Sequence, residues 1–321
     1  MNGLETPLTK LLGIRYPIIE GGLAHLGYAG LAAAISNAGA LGQITAATLP
    51  DKEALREEIR KTRGLTDSPF GVNVAMGTHS MDDFVTVAME EEVPVLTISG
   101  GNPEQILSRT QGKMCRVVMV GSVRAAKKAE ILGAEAVIAA GFESGGHIGR
   151  SDTTTMVLVP RIADAIKIPV VAAGGIADGR GLTAALMLGA AGVQLGTRFV
   201  ATKECMAHPN YKNALVEAGE DQTLIIKRSI GRPARALKTH GAEKVVLAEE
   251  ANKPAEEILE MVRGEINRTG ALEGRLDEAF VWAGQVCSLI DDVPSAQDLI
   301  NRLVQQALEL MRPGGQAPEA G

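Results

Sequence analysis

Between Ala134 and Arg198 the chain reads A-E-A-V-I-A-A-G-F-E-S-G-G-H-I-G (Ala134–Gly149), then I-P-V-V-A-A-G-G-I-A-D-G (Ile168–Gly179), then A-G-V-Q-L-G-T-R (Ala191–Arg198). Each stretch is an apolar, β-like run that ends on a glycine-bearing turn. Backbone N–H groups can close on an anion where no Cβ stands in the way, so three such turns in succession describe a phosphate-binding rim. One imidazole, His147, lies within them.

Outward from this segment, short apolar runs alternate with amphipathic stretches. Strands are expected at Tyr16–Glu20, Ala40–Ile44, Phe70–Ala75, Val93–Ser99, Arg116–Val120, Ala136–Ala140, Pro169–Ala173 and Gly192–Leu195. Between them, Pro50–Arg63, Met81–Glu91, Pro103–Gln111, Ser122–Leu132, Val157–Ala165 and Gly181–Leu188 are long enough for crossover helices. Continuous apolar strands suit a parallel sheet covered on both faces. Eight β-α units predict an α/β fold, a (β/α)8 TIM barrel, with an open doubly wound sheet as the competitor. Against the open sheet, the first strand is followed by E-G-G-L-A-H-L-G and not by a G-x-G-x-x-G turn. In a barrel, phosphate commonly sits on the loops after strands seven and eight, where Gly174–Gly175 and Gly196–Thr197 fall, with the helix near Gly181 adding its dipole. The plainer account is that these glycines only make tight turns.

The repeat stops after Arg198. The expected division is a barrel from residues 1–205 plus about 280–312, an added, mostly helical lid subdomain over about 206–279, and a disordered tail at 313–321. Ser295–Met311 carries an apolar helical stripe that should pack back on the barrel.

Composition narrows the function. Hydrophobic residues make up 45% of the 321, but 37 glycines and many alanines break every apolar stretch before the roughly 18 residues of a membrane span. No membrane association is expected, and the amino end lacks a secretory pattern, so a cytoplasmic location is expected. A net charge of −6 and 3% aromatic residues argue against nucleic acid. Cys115, Cys205 and Cys287 are odd in number and widely spaced, which predicts free thiols and no metal site.

Six motifs, taken in order, resemble the flavin-dependent nitronate monooxygenase (2-nitropropane dioxygenase) family, which also contains FMN-dependent enoyl-acyl-carrier-protein reductases and an NADH:quinone reductase branch. They are Y-P-I-I-E-G-G at Tyr16–Gly22, P-F-G-V-N-V at Pro69–Val74, S-G-G-N-P at Ser99–Pro103, G-F-E-S-G-G-H-I-G at Gly141–Gly149, A-A-G-G-I-A-D-G at Ala172–Gly179 and Q-L-G-T-R-F at Gln194–Phe199. The resemblance spans nearly the whole chain. It implies FMN across the barrel mouth, with Gly21, Gly22 and Leu23 under the ring and Asn73 at its edge. Gly100, Gly145 and Gly146 would approach the ring and ribityl chain, Gly174, Gly175, Gly196 and Thr197 would hold the phosphate, and Gln194 and Gln285 would complete the set. Glu143 is expected to bind backbone or a ribityl hydroxyl. Asn73 has a plain alternative as a strand-end turn residue.

The resemblance makes His147 the catalytic candidate, because an imidazole exchanges protons near neutrality; the alternative is a histidine merely hydrogen-bonded in a loop. His25, His79, His208 and His240 lack that glycine context and are expected to be structural or solvated. Lys227, Arg228, Arg232 and Arg235 would meet a nucleotide or acyl-carrier phosphate, or else form a solvated helical face. The favoured activity is oxidation of alkyl nitronates with O2 to a carbonyl compound and nitrite. The alternatives are NAD(P)H-dependent reduction of an enoyl thioester on acyl-carrier protein, reduction of a quinone, or a phosphosugar-binding barrel without redox chemistry. A homodimer is compatible with each.

Overall fold

Prolines decide where barrel strands begin. The strands are β1 (Ile18–Glu20), β2 (Gly42–Thr45), β3 (Phe70–Ala75), β4 (Val95–Ser99), β5 (Cys115–Val120) and β6 (Ala136–Ala140), then the short β7 (Gly146–His147), β8 (Val170–Ala173) and β9 (Gly192–Leu195). Pro17, Pro69, Pro94 and Pro169 immediately precede β1, β3, β4 and β8, because a residue without an N–H cannot donate to the ladder. Their carbonyls still pair: Pro17 O accepts from Val193 N at 2.9 Å, Pro94 O from Cys115 N at 2.9 Å and Pro169 O from Val137 N at 3.0 Å. The sequence reading started β1, β4 and β8 one or two residues early for this reason.

The computed structural model describes residues 4–77 and 81–312. The tail expected at 313–321, and His79, lie outside the described residues. Eight parallel strands follow one another in the order β1-β9-β8-β6-β5-β4-β3-β2, and a parallel bridge between Ile19 and Leu41 brings β1 alongside the start of β2, closing a (β/α)8 barrel. Helix Pro7–Leu12, whose Thr6 cap and Thr9 form a capping box, plugs the end where the strands begin. Its Leu8 and Leu12 share one buried cluster with Ile19, Leu41, Val95, Val117, Ile138 and Val171. The plugged end leaves only the carboxyl ends of the strands open to a ligand.

Helix Ala296–Leu310 buries Leu299, Leu303 and Ala307 of the stripe expected from the sequence, together with Ile300 and Val304, against helices Gly179–Met187 and Ala29–Asn37, whereas Leu310 and Met311 of that stripe are not buried. Residues 206–279 contain helices Pro209–Val216, His240–Glu250, Ala255–Met261 and Gly264–Glu273, and also strands β10 (Thr223–Ile226) and β11 (Ala234–Leu237). The segment is mostly helical, and the two short strands are an addition that the sequence reading did not place. β10, β11 and β7 form an antiparallel sheet in which Ala234 faces His147 and Arg235 faces Gly146. His147 is therefore fixed by pairing with the added segment as well as by its own loop.

The three cysteines are free. No helix among the described residues is long and apolar enough to cross a membrane.

Glu20, at the end of β1, is fully buried. Its Oε2 accepts from Gln43 N at 2.8 Å, and Oε1 has no partner, the one such buried side-chain atom among the described residues. Burial pushes this carboxyl well above the ordinary range, which favours its neutral form. An acid whose pKa is higher folded than unfolded binds its proton more tightly in the fold. The fold therefore loses stability as pH rises from the unfolded value near 4.3 toward the raised one. Glu20→Gln should match the wild type near pH 4 and melt roughly 2–6 °C higher at pH 8. Parallel melting curves against pH for the two proteins would refute this account of Glu20.

Candidate active site

At the carboxyl ends of the strands lies a cavity of about 480 Å3, within the roughly 300–1,000 Å3 of small-molecule sites. Its floor is main chain and small side chains: Gly21, Gly22, Ala75, Ser99, Ala140 and Ala173. Asn73, Gln194 and Leu23 also face it.

One end is a cradle. Gly174, Gly175, Gly196 and Thr197 line it together with the loop Glu143–Gly146. Among the described residues no hydrogen bond uses the main-chain N–H of Gly174, Gly175 or Gly196, all cavity-lining residues, so these donors are unspent. The Thr197 hydroxyl accepts from Gly284 N at 2.9 Å, which leaves its own proton for a ligand. Among the described residues no arginine lines the cavity, and an anion in the cradle would be held by backbone dipoles. Glu143 does not oppose it with a free charge: its carboxylate accepts from Thr155 N at 2.8 Å and from the Thr155 hydroxyl at 3.0 Å, capping helix Thr155–Ala163. This cradle above a flat, glycine-lined floor fits a phosphate-bearing flavin.

The opposite wall carries a lysine in contact with the imidazole. Lys227 Nζ lies 2.6 Å from His147 Nε2. Burial, and then the nearby Lys227 and Arg232 charges, push the imidazole down to about 4, so it is neutral at physiological pH. Burial, and then Arg232, lower Lys227 to about 8, which leaves it mostly an ammonium. The ammonium has only donors, so it donates to Nε2 and the imidazole proton resides on Nδ1. The Trp282 ring lies 5.8 Å from Lys227 Nζ and 5.5 Å from the His147 ring, and the Phe280 ring packs against it, tilted, at 4.8 Å. Lys227 adopts a left-handed backbone, φ 67°, uncommon for a residue with a side chain. Glu249 holds it there by accepting from Lys227 N at 2.9 Å and Ser229 N at 2.8 Å.

The nitronate monooxygenase family model matches residues 5–306. The chain belongs to this family. It is 41% identical to FabK from Thermotoga maritima, with a TM-score of 0.91 over 95% of this chain and 96% of that one. Among curated proteins it is 33% identical to the (3aS,4S,5R,7aS)-5-hydroxy-7a-methyl-1-oxo-octahydro-1H-indene-4-carboxyl-CoA dehydrogenase of Mycobacterium tuberculosis, over 95% of this chain and 96% of the dehydrogenase. A probable nitronate monooxygenase of Staphylococcus haemolyticus is 32% identical over 95% and 97%. The protein is an enzyme, an oxidoreductase of a flavin-dependent family.

Within that family setting, most of the residues singled out in the sequence converge. Gly21, Gly22, Leu23, Asn73, Glu143, Gly145, Gly146, His147, Gly174, Gly175, Gln194, Gly196 and Thr197 all line the cavity. Gly100 and Gln285 do not. Gln285 is exposed, and it is its main-chain N that ties the site, donating to Glu143 O at 3.0 Å. The helix near Gly181 starts at Gly179, and its first amides are already capped: Asp178 takes those of Arg180 and Gly181, and Gln306 that of Gly179. Its terminus is spent.

Lys227 sits in the cavity wall, not on a solvated face. Arg235 is buried in β11, where it donates to Phe142 O, whereas Arg228 is exposed and pairs with Asp152 at 3.2 Å. His25 also lines the cavity, with Nε2 3.2 Å from Gly264 O. His208 caps a helix through Asn210 N, and His240 is exposed. The pairing of Lys227 with His147 and the approach of Trp282 to both had no local signal, because each joins residues more than fifty positions apart.

Proposed function

We propose that the protein is an FMN-dependent oxidoreductase that reduces a conjugated carbonyl substrate, an enoyl thioester, with NAD(P)H as the reductant. The observation that carries this reading is the Lys227–His147 pair. Saturating a double bond conjugated to a carbonyl adds a hydride at one carbon and a proton at the other; FMN in the cradle would supply the hydride. The chain supplies the proton. An ammonium lowered to about 8 is a competent acid at neutral pH, and its charge opposes the negative charge that grows on the thioester oxygen. His147, held neutral, fixes the ammonium by accepting its hydrogen bond through Nε2. The wall of Phe280, Trp282, Val262 and Ala271 excludes water from the acyl chain.

The likeness to FabK, an enoyl reductase, and to a dehydrogenase of a carboxyl-CoA supports a thioester substrate. A second reading, oxidation of alkyl nitronates, is supported by the family's name and by the same ammonium, which would pair with a nitronate anion. Anaerobic mixing of the FMN-loaded enzyme separates the two. Fast bleaching by NADH or NADPH, followed by reoxidation with crotonyl thioester, is expected. Bleaching by propyl nitronate with none by either nicotinamide would replace the first reading with the second.

A further inference from the structure

Beneath the cavity floor, four buried polar groups form one chain. Gln43 Nε2 donates to the main-chain oxygen of Glu20, which also accepts from Gln194 Nε2 at 3.3 Å. The Thr97 hydroxyl donates to Gln43 Oε1 at 2.5 Å, and Asn73 Nδ2 donates to Thr97 Oγ1 at 2.8 Å. Gln43, Thr97 and Asn73 come from the neighbouring strands β2, β4 and β3 and are at most 5% exposed.

The direction of this chain is forced from one end. A main-chain carbonyl only accepts, so the Gln43 amide must turn its nitrogen to Glu20 and its oxygen to Thr97. The Thr97 hydroxyl has one proton, and Gln43 Oε1 takes it. Thr97 can then only accept from Asn73, so the Asn73 nitrogen points inward. Its oxygen is left beside Gly22 at the cavity: a Cβ built on Gly22 would stand 2.8 Å from Asn73 Cγ. A free asparagine side chain offers either a donor or an acceptor; this one is restricted to the acceptor.

We propose that Thr97, backed by Gln43, is a positioning residue that locks the Asn73 amide oxygen toward the bound flavin, so that Asn73 selects a ring N–H and turns no donor to the ring carbonyls. The inference rests on the reading of the cavity as an FMN site. Thr97 touches neither cofactor nor substrate and acts through Asn73.

The test is FMN titration of the apoprotein, followed by fluorescence quenching, with visible spectra of the saturated forms. Thr97→Val, an isostere without the hydroxyl, is expected to weaken FMN binding about tenfold and to shift the visible flavin bands. Thr97→Ser, which restores the hydroxyl, should return both to the wild-type values. Asn73→Ala should weaken binding by a similar factor. Because the two residues act in series, Thr97→Val should then change affinity less than twofold in the Asn73→Ala background. Wild-type affinity and bands in Thr97→Val, or losses that multiply in the double variant, would overturn the role of Thr97 while leaving the FMN site standing. A wild-type apoprotein that does not bind FMN would overturn both.

Discussion

Lys227→Met should lower kcat/KM by about 10^2–10^3 while the protein keeps bound flavin and its visible spectrum. The size follows from what is removed: one positioned proton donor contributes roughly 10^2–10^4, and one charge-stabilising donor roughly 10^2–10^3. Methionine keeps the length and apolar stem of lysine, so Trp282 and His147 retain a neighbour of similar volume. The pH profile supplies the sign. Lys227 carries its proton below about 8, and His147 is neutral above about 4, so wild-type kcat/KM should be flat between these values and fall above the upper one. In Lys227→Met the alkaline limb should vanish. His147→Ala should retain part of the activity, since the ammonium survives, and should move that limb. Full turnover in Lys227→Met would remove Lys227 from the chemistry, and full turnover in His147→Ala would do the same for its partner.

The barrel was legible because its determinants are local. A buried parallel strand is a short apolar run, and β3, β6 and β9 have the bounds that such runs mark; where the ends differ, as at Pro17, Pro94 and Pro169, the missing N–H explains it. The glycine cradle was legible for the same reason, since each turn is written in consecutive residues. The added segment was not. T-L-I-I at Thr223–Ile226 and A-R-A-L at Ala234–Leu237 are four residues each, set among charged helical stretches, and what makes them strands is pairing with each other and with Gly146–His147 far upstream. Lys227 was read as one of a basic cluster because K-R-S-I-G-R looks solvated in isolation. Its burial depends on Glu249 and its chemistry on His147, contacts that only the folded chain provides. The aromatic wall was missed for the same reason, as Trp282 is placed by a bridge to Ala236 and by the Tyr211 hydroxyl on its carbonyl.

Gly174→Ala should yield a folded protein that purifies without flavin colour. Gly174 has φ 100°, outside the range that a residue with a side chain adopts without strain of roughly 1–3 kcal/mol. A Cβ there would stand 2.5 Å from Ser144 Oγ and 3.0 Å from Ser144 N. The hydroxyl can rotate away, but the amide cannot, because the Glu143–Gly146 loop is pinned by Gln285 N on Glu143 O and leaves no room between Gly145 and Gly284. The chain must then either displace that loop or turn the Gly174 peptide, and both carry the unspent N–H groups of Gly174 and Gly175 away from the phosphate. Losing two or three charge-assisted hydrogen bonds predicts FMN affinity weaker by about 10^2–10^4, with melting lowered roughly 2–6 °C. Gly100→Ala is the matched control. Gly100 also has a positive φ, 72°, but a Cβ there meets nothing closer than Met76 Cβ at 3.9 Å, and the residue does not line the cavity. It should lose stability and keep FMN. If titration shows both variants losing flavin alike, the phosphate does not sit on the β8 turn, and strain alone accounts for the effect.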